Sequence, residues 1–199
     1  MKLRDYRLIF VAVGLIGILL ISSPAIAEVI EVPGGEKFSE LYLLGPEGMA
    51  ENYPYDIAVG KSYSVYVDVE NHLGSLAYYV LYVKFGNMSD LLPNPTLGTP
   101  SSLPPLYEYR FSIPDNMNWE RLLHFSISNA TIQRNNSQIN TIQINDVTFN
   151  VNKPSMWNSN STTFAYQLFF ELWIYNVQTE SVEFNNRLVN LQLNLTQTP

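Results

Sequence analysis

The clearest strand pattern in this chain is the stretch KSYSVYVDVEN, which runs from Lys61 to Asn71. Tyr63 and the valines at 65, 67 and 69 fall on one side of an extended chain, and polar residues fall mostly on the other. A period of two is typical of a strand with one buried face. The next segment, Leu76–Phe85, is apolar on both faces and predicts a central strand. The short link 71–75 predicts that these two strands pair antiparallel.

Further strands follow from the same pattern. They are Tyr107–Ile113, Trp119–Ser128, Gln138–Ile144, Val147–Val151, Phe164–Tyr175 and Leu188–Leu195, with Phe38–Leu44 as a ninth strand. Asn145-Asp146 forms a two-residue hairpin loop that accepts positive φ, and the resulting register places Ile142 opposite Phe149. Five prolines between residues 93 and 105 exclude a strand there and predict a stiff crossover between two sheets. Eight or nine strands at this spacing predict an all-β fold, a single antiparallel β-sandwich similar to Ig-like adhesion modules.

The first 27 residues have a different character. Lys2, Arg4 and Arg7 precede an uncharged apolar run, residues 8–27. A helix of this length spans roughly 30 Å, the thickness of a bilayer core, and the flanking charges place the N-terminus inside. We therefore expect a cytoplasmic tail (1–7), a transmembrane signal-anchor (8–27) and an extracellular domain (28–199). The alternative is a signal peptide cleaved after Ala27, since Ala25-Ile26-Ala27 fits the small-x-small pattern, which would release a secreted β-sandwich.

Composition limits the partners of the exported part. Residues 28–199 contain 17 acidic and 8 basic residues, a net charge of −9. That balance argues against nucleic acid and anionic lipid as ligands. The chain has no cysteine, so we expect stability to come from a hydrophobic core rather than from disulfides. A length of about 170 residues suits one such domain.

Several segments together resemble a known family. They are Gly35–Pro46, Met49–Pro54, Asn71–Ser75, Leu103–Arg110, Val147–Lys153 and Tyr166–Trp173. In order and spacing they are similar to an archaeal membrane-protein family known as domain of unknown function 1616. The resemblance implies an archaeal, membrane-anchored extracellular domain. It supplies no activity and no catalytic residues, and many members carry several membrane spans where this chain has one.

Asn-x-Ser/Thr sequons are the most frequent candidate sites. They occur at Asn87, Asn129, Asn135, Asn160 and Asn194. Their number exceeds chance expectation about two-fold. All five are expected to be exposed, and we expect at least two to carry glycans if the host is an archaeon that glycosylates its surface proteins. The alternative is that they are ordinary turn asparagines. Trp157, in a polar loop near Asn160, is the aromatic residue that best suits a binding role.

Other polar residues give weaker signals. His72 and His124 lack the spacing of metal ligands, and we expect no metal and no cofactor. The acidic residues at 36, 40, 47 and 51 lie among glycines, where a calcium site competes with a solvated loop. Glu108, Glu120 and Glu171 lie on predicted strands and leave open a glycosidase-type pair.

No segment spells out a reaction. The function we expect is a non-enzymatic binding or structural role at the cell envelope. Its partners would be the lipid bilayer, through residues 8–27, and envelope proteins or glycans. The alternative is an accessory protein or enzyme that acts on cell-surface glycans.

Overall fold

The computed structural model describes residues 6, 11–18, 36–158 and 163–196. It divides into two compact units, Met1–Lys37 and Phe38–Pro199. In the first unit, residues 11–18 are helical. Among the described residues, no helix has the length and apolar character that a bilayer crossing requires. The rest of the predicted segment 8–27, including its Ala27 cleavage site, lies outside the described residues.

The second unit is all-β, as predicted. Its described part contains ten strands. They are β1 (Phe38–Leu44), β2 (Asp56–Ile57), β3 (Ser62–His72), β4 (Ala77–Asn87), β5 (Tyr107–Ile113), β6 (Met117–Ile132), β7 (Asn136–Ile144), β8 (Val147–Asn158), β9 (Thr163–Asn176) and β10 (Ser181–Leu195). The prediction of a strand at Phe38–Leu44 is confirmed as β1, whereas β2 was not predicted because two residues carry no periodicity.

The strands form one hydrogen-bonded sheet that curls on itself. Its path runs β1-β3-β6-β7-β8-β9-β10-β2, and β4 lies between β9 and β5. The guanidinium Nε of Arg187 on β10 donates to the carbonyl of Ser39 on β1 at 2.8 Å, so strands far apart in this path meet. β5 and β6 are not hydrogen-bonded to each other either, yet the rings of Phe111 on β5 and Trp119 on β6 stack with centroids 3.9 Å apart.

The inward faces of all these strands share one hydrophobic core. The alternating valines of β3 are fully buried in it, as predicted, and so are Leu168, Phe170 and Leu172 of β9. The β7–β8 hairpin is also confirmed. Asn145 and Asp146 both have positive φ, and Ile142 lies opposite Phe149.

Pairing is antiparallel between neighbouring strands except at β2. Asp56–Ile57 runs parallel to Asn194–Leu195 at the end of β10, which corrects the prediction of a purely antiparallel sheet. The loop after β1 brings the chain to the edge of β10 in this direction, where the amide of Asn194 donates to the carbonyl of Tyr55 at 2.7 Å.

The predicted pairing of β3 with β4 is wrong. β3 pairs with β1 and β6, whereas β4 pairs with β5 and β9. Residues 71–75 therefore form a crossover between two parts of the sheet. Asn71, which is fully buried, holds this corner: its amide donates to the carbonyls of Ser75 and Ile113, and its oxygen accepts from Leu73 N–H and the Tyr79 hydroxyl.

The proline-rich segment also differs from its prediction. It joins β4 to β5, which pair with each other, so it is not a crossover. Instead it covers the outward face of β4 and β9, which explains why β9 is buried on both faces from Thr163 to Leu172 although alternation predicted one buried side. The side-chain amide of Gln167 donates to the carbonyls of Asn87 and Asp90 and fixes the start of the segment.

A buried ion pair fixes the far part of this segment. Lys84 Nζ on β4 lies 2.8 Å from Glu171 Oε2 on β9, and the two side chains are 4% and 0% exposed. Lys84 also donates to the carbonyl of Ser101, whose N–H donates to Glu171 Oε1. The indole N–H of Trp173 donates to Glu171 Oε2. Every polar atom of the pair thus has a partner, as a buried charge requires.

Lys84→Met should reduce the free energy of unfolding by about 3–5 kcal/mol, because it leaves the Glu171 carboxylate buried without its cation. The double variant Lys84→Met/Glu171→Gln should recover part of that loss, since an amide oxygen still accepts from Ser101. Urea denaturation of the purified protein measures both. The matched control is Lys153→Met, which removes a more exposed 2.8 Å pair with Asp90 and should cost about 1 kcal/mol or less. Equal losses for Lys84→Met and Lys153→Met would contradict the role of burial.

Asn71→Ala should destabilise the protein by about 2–3 kcal/mol, because it removes the amide that donates to the buried Ile113 carbonyl and leaves the Tyr79 hydroxyl with Ser39 Oγ alone. Thermal or urea unfolding measures the change. Asn190→Ala, on an exposed position of β10, should change stability by no more than about 0.5 kcal/mol. If both variants unfold at the same midpoint, the corner does not depend on Asn71.

Candidate functional site

The described sequon asparagines differ in exposure. Asn129 and Asn135 are exposed, whereas Asn87 and Asn194 are half-buried, contrary to the expectation that all are exposed. The oxygen of Asn87 accepts from the N–H groups of Ser89 and Asp90, and its amide nitrogen donates to the carbonyl of Pro154 at 2.8 Å. This turn geometry uses the nitrogen that a glycan would modify. Asn160 lies outside the described residues.

These four asparagines lie at the same end of the domain. β1 begins at Phe38, which pairs with His72, and we call this the entry end. The sequons occupy the opposite, far end: at the end of β4, near the end of β6, in the β6–β7 turn and near the end of β10. Asn87 and Asn135 line one groove of about 640 Å³ there, together with Met88, Pro154 and Met156.

Trp157 is part of the packing of the far end. It lies on β8, half-buried, with its ring edge-on to Phe164 at a centroid distance of 5.0 Å. Its backbone N–H donates to the carbonyl of Asn135. The ring therefore contacts the core, and only its remaining edge is available to a ligand.

Of the carboxylates considered as a glycosidase pair, Glu108 and Glu171 lie on the same outward face, each opposite Tyr82 of β4. Glu171 is buried in the ion pair described above. Glu108 on β5 binds Arg110, with Oε1 2.8 Å from Nε, and Glu120 on β6 lies opposite Asp68. In the part of the chain that the structure describes, no group of three or more histidine and acidic residues has the geometry to hold a metal ion.

The glycines near the acidic residues 47 and 51 have a structural explanation. A Cβ at Gly45 would lie 1.9 Å from the carbonyl oxygen of Glu51, so only glycine fits this close approach. The amide of Gly45 also donates to the carbonyl of Met49 at 2.7 Å. This compact turn after β1 accounts for the glycine at 45 without a ligand.

Sequence reasoning missed a cluster of carboxylates on the outward side of β1, β3 and β6. Glu40 lies directly opposite Glu70, and Asp68 lies directly opposite Glu120. We call these four residues the acidic face. The alternation of Asp68 and Glu70 on the polar side of a predicted strand was its only sequence signal, because the partner strands are remote in sequence.

Asp68 is the buried member of the acidic face. It is 7% exposed, and its Oδ2 accepts from the side-chain amide of Asn118 at 2.9 Å. Its Oδ1 is buried and has no hydrogen-bond partner. Burial raises the pKa of Asp68 above its usual value, the hydrogen bond from Asn118 opposes that rise, and the charges of Glu120 and Glu70 add to it.

His72 lies beside the acidic face at the entry end. Its Nε2 is 3.1 Å from Glu70 Oε2, and its Nδ1 is 3.1 Å from Asn116 Oδ1. The hydrogen bonds to Asn116 and Glu70 raise the pKa of His72, and the charges of Glu70 and Glu40 raise it further. Protonated His72 is therefore a cation that partly offsets the charge of these carboxylates.

These observations define the class of protein: an all-β domain with sequons at its far end and a carboxylate-rich outward face. The chain belongs to the family described as Domain of unknown function (DUF1616), whose model matches residues 32–140. The match covers β1 to β6 and the first part of β7. No curated protein matches the chain.

Solved structures show only distant similarity. A beta-glucosidase from Listeria innocua in complex with glucose aligns with a TM-score of 0.40 and 8% identity, over 81% of this chain and 16% of that one. A chain of the complex between Zinc 2-glycoprotein (ZAG) and Prolactin inducible protein (PIP) from human seminal plasma aligns with a TM-score of 0.37 and 9% identity. That alignment covers 83% of this chain and 99% of the other. This chain thus spans a small part of the beta-glucosidase, and TM-scores below 0.5 carry no argument about function.

The protein should lose stability as the pH rises through the raised pKa of Asp68. The ordinary pKa of this carboxyl group is 3.8, and a raised pKa in the folded state means that the folded protein binds the proton more tightly. The group therefore adds to the free energy of unfolding below pH 3.8, and this contribution is lost as the pH rises through the raised pKa. In Asp68→Asn this loss should be absent. Unfolding midpoints measured from about pH 4 to pH 9 test it.

His72→Gln is the comparison variant for this experiment. The pKa of His72 is also raised when the protein folds, so its contribution to stability is likewise lost as the pH rises, but above 6.5. His72→Gln should therefore remove a loss of stability near neutral pH and keep the loss at acidic pH. Identical pH profiles for wild type and Asp68→Asn would contradict the assignment.

Proposed function

We propose that this chain is a membrane-anchored, non-enzymatic domain that is displayed outside the cell and binds envelope proteins or glycans. Residues 8–27 are its signal-anchor, and residues 28–199 form the displayed domain. In this proposal the curled sheet is a β-sandwich. One layer is β1, β3, β6, β7 and β8, the other is β5, β4, β9, β10 and β2, and the chain passes between them at β8.

The distribution of sequons over the domain carries this proposal. All four described sequon asparagines lie at the far end, and Asn129 is about 30 Å along β6 from Glu120, at about 3.3 Å per residue. A glycan at Asn129 would therefore be attached far from the acidic face. Glycans at one end and a bare polar face suit a domain that is held at its entry end and meets partners in solution.

Large apolar side chains are exposed at both ends of the domain. At the entry end, Leu76 is 67% exposed and Val177 is 78% exposed, and at the far end Met88 and Met156 are exposed. Exposed apolar residues around the point where the chain enters the domain are compatible with a nearby lipid surface.

Cysteine labelling tests the topology directly, because the native chain contains no cysteine. Thr148→Cys, on an exposed position of β8, should react with a membrane-impermeant maleimide on intact cells. Asp5→Cys, in the tail 1–7, should react only after lysis. Labelling of Asp5→Cys alone on intact cells would invert the topology and refute the proposal.

The intact mass of protein purified from its host tests the rest. We expect a full-length chain with added glycan mass, which Asn129→Gln and Asn135→Gln should each reduce because both asparagines are exposed. Loss of residues 1–27 would instead establish the secreted form. A mass equal to that of the bare chain would refute glycosylation.

A further inference from the structure

The carboxylates of the acidic face repel one another. Residues directly opposite each other on antiparallel strands have Cβ atoms about 5 Å apart, and like charges at such positions are destabilising. Two such pairs, Glu40 with Glu70 and Asp68 with Glu120, lie side by side because Asp68 and Glu70 alternate on β3. An arrangement that weakens the free domain indicates a role in binding.

No basic side chain compensates this charge from within the three described strands. Arg121 is the one lysine or arginine in β1, β3 and β6, and it shares the side of β6 on which Leu123 is buried. Its guanidinium lies over the ring of Trp119 at 5.8 Å. His72 offers one positive charge at the edge of the cluster, and only when it is protonated.

The unpartnered oxygen of Asp68 is a second and independent observation. Asp68 is more than nine-tenths buried, on the same outward side as the three glutamates, and its Oδ1 has no donor. A buried carboxylate oxygen without a donor is unfavourable, and a positively charged donor satisfies it best. The same atom gains nothing from an anionic or apolar ligand.

We propose that the acidic face binds a basic segment of a partner protein, through arginine or lysine side chains that contact Asp68 and its neighbouring carboxylates. This inference rests on the proposed function, since it names the partner of that binding domain. A guanidinium suits the site because its planar fork of donors can contact carboxylates on neighbouring strands. Tyr42, opposite Asp68 and 37% exposed, supplies a ring for the aliphatic stem or the cation.

Binding of a fluorescent hexa-arginine peptide to the full-length protein in detergent micelles tests the proposal. The variant Glu40→Gln/Glu120→Gln removes one charge from each like-charge pair and keeps the side-chain shape. We expect its Kd to rise about tenfold or more, as the loss of close charge partners implies. The control, Glu47→Gln/Asp146→Asn, makes the same change in net charge at exposed positions outside the face and should change the Kd less than about twofold.

Stability of the free protein is the second readout. Glu40→Gln/Glu120→Gln should raise the unfolding midpoint, because it relieves repulsion between opposed carboxylates. A lower midpoint would mean that these residues serve the fold, and this would overturn the inference. Equal weakening of peptide binding by the control pair would reduce the effect to net charge and overturn it as well.

Competition distinguishes the remaining ligands. In one outcome the peptide does not bind, whereas calcium ions or a neutral oligosaccharide bind in a way that depends on Glu40 and Glu120. That result would overturn the proposal of a basic segment and identify another class of ligand. The topology experiment is independent of these outcomes. If Thr148→Cys is labelled on intact cells and the peptide fails to bind, the displayed domain stands and only its partner is refuted.

Discussion

The buried contact between Lys84 and Glu171 is the interaction on which the arrangement of the outer elements depends. It joins β4 to β9 and holds Ser101 of the proline-rich segment through both its N–H and its carbonyl. Phe169 and Ala165 lie on the same outward side of β9 as Glu171, and both are buried. The charges are satisfied, so the pair determines position, while the core supplies most of the stabilisation.

The two outward faces of the curled sheet therefore differ in how their charged residues are paired. On β4 and β9, opposite charges meet and a loop covers them. On β1, β3 and β6, like charges meet on adjacent strands. Both faces carry charged residues. Among the described residues, the first set is paired with opposite charge, whereas the second has only His72 beside Glu70 as a cation when it is protonated. This contrast is the physical reason to look for a partner at the acidic face.

The strands themselves could be predicted from sequence because alternation is a local property. The valines of β3 predict that strand, and Asn145-Asp146 predicts the β7–β8 hairpin, without information from other parts of the sequence. Pairing could not be predicted in the same way, since nothing near Asn71 shows that its amide meets Ile113, 42 residues away. One signal was present and unused: Lys84 and Glu171 are single, opposite charges inside otherwise apolar strands, which indicates that they pair. The acidic face required the register of three strands at once, and no single segment contains that information.

The position of β9 has a consequence for how the chain reaches its fold. β4 depends on β9 for most of its length, with Asn87 opposite Tyr166, although β9 follows it by about 80 residues. The family-matched segment, residues 32–140, ends before β9 and so contains β4 without this neighbour. During synthesis, the apolar β4 therefore has no β9 to pair with until the last part of the chain has been made. The matched segment thus contains β4 but not the strand that pairs with most of it, which lies at residues 163–176.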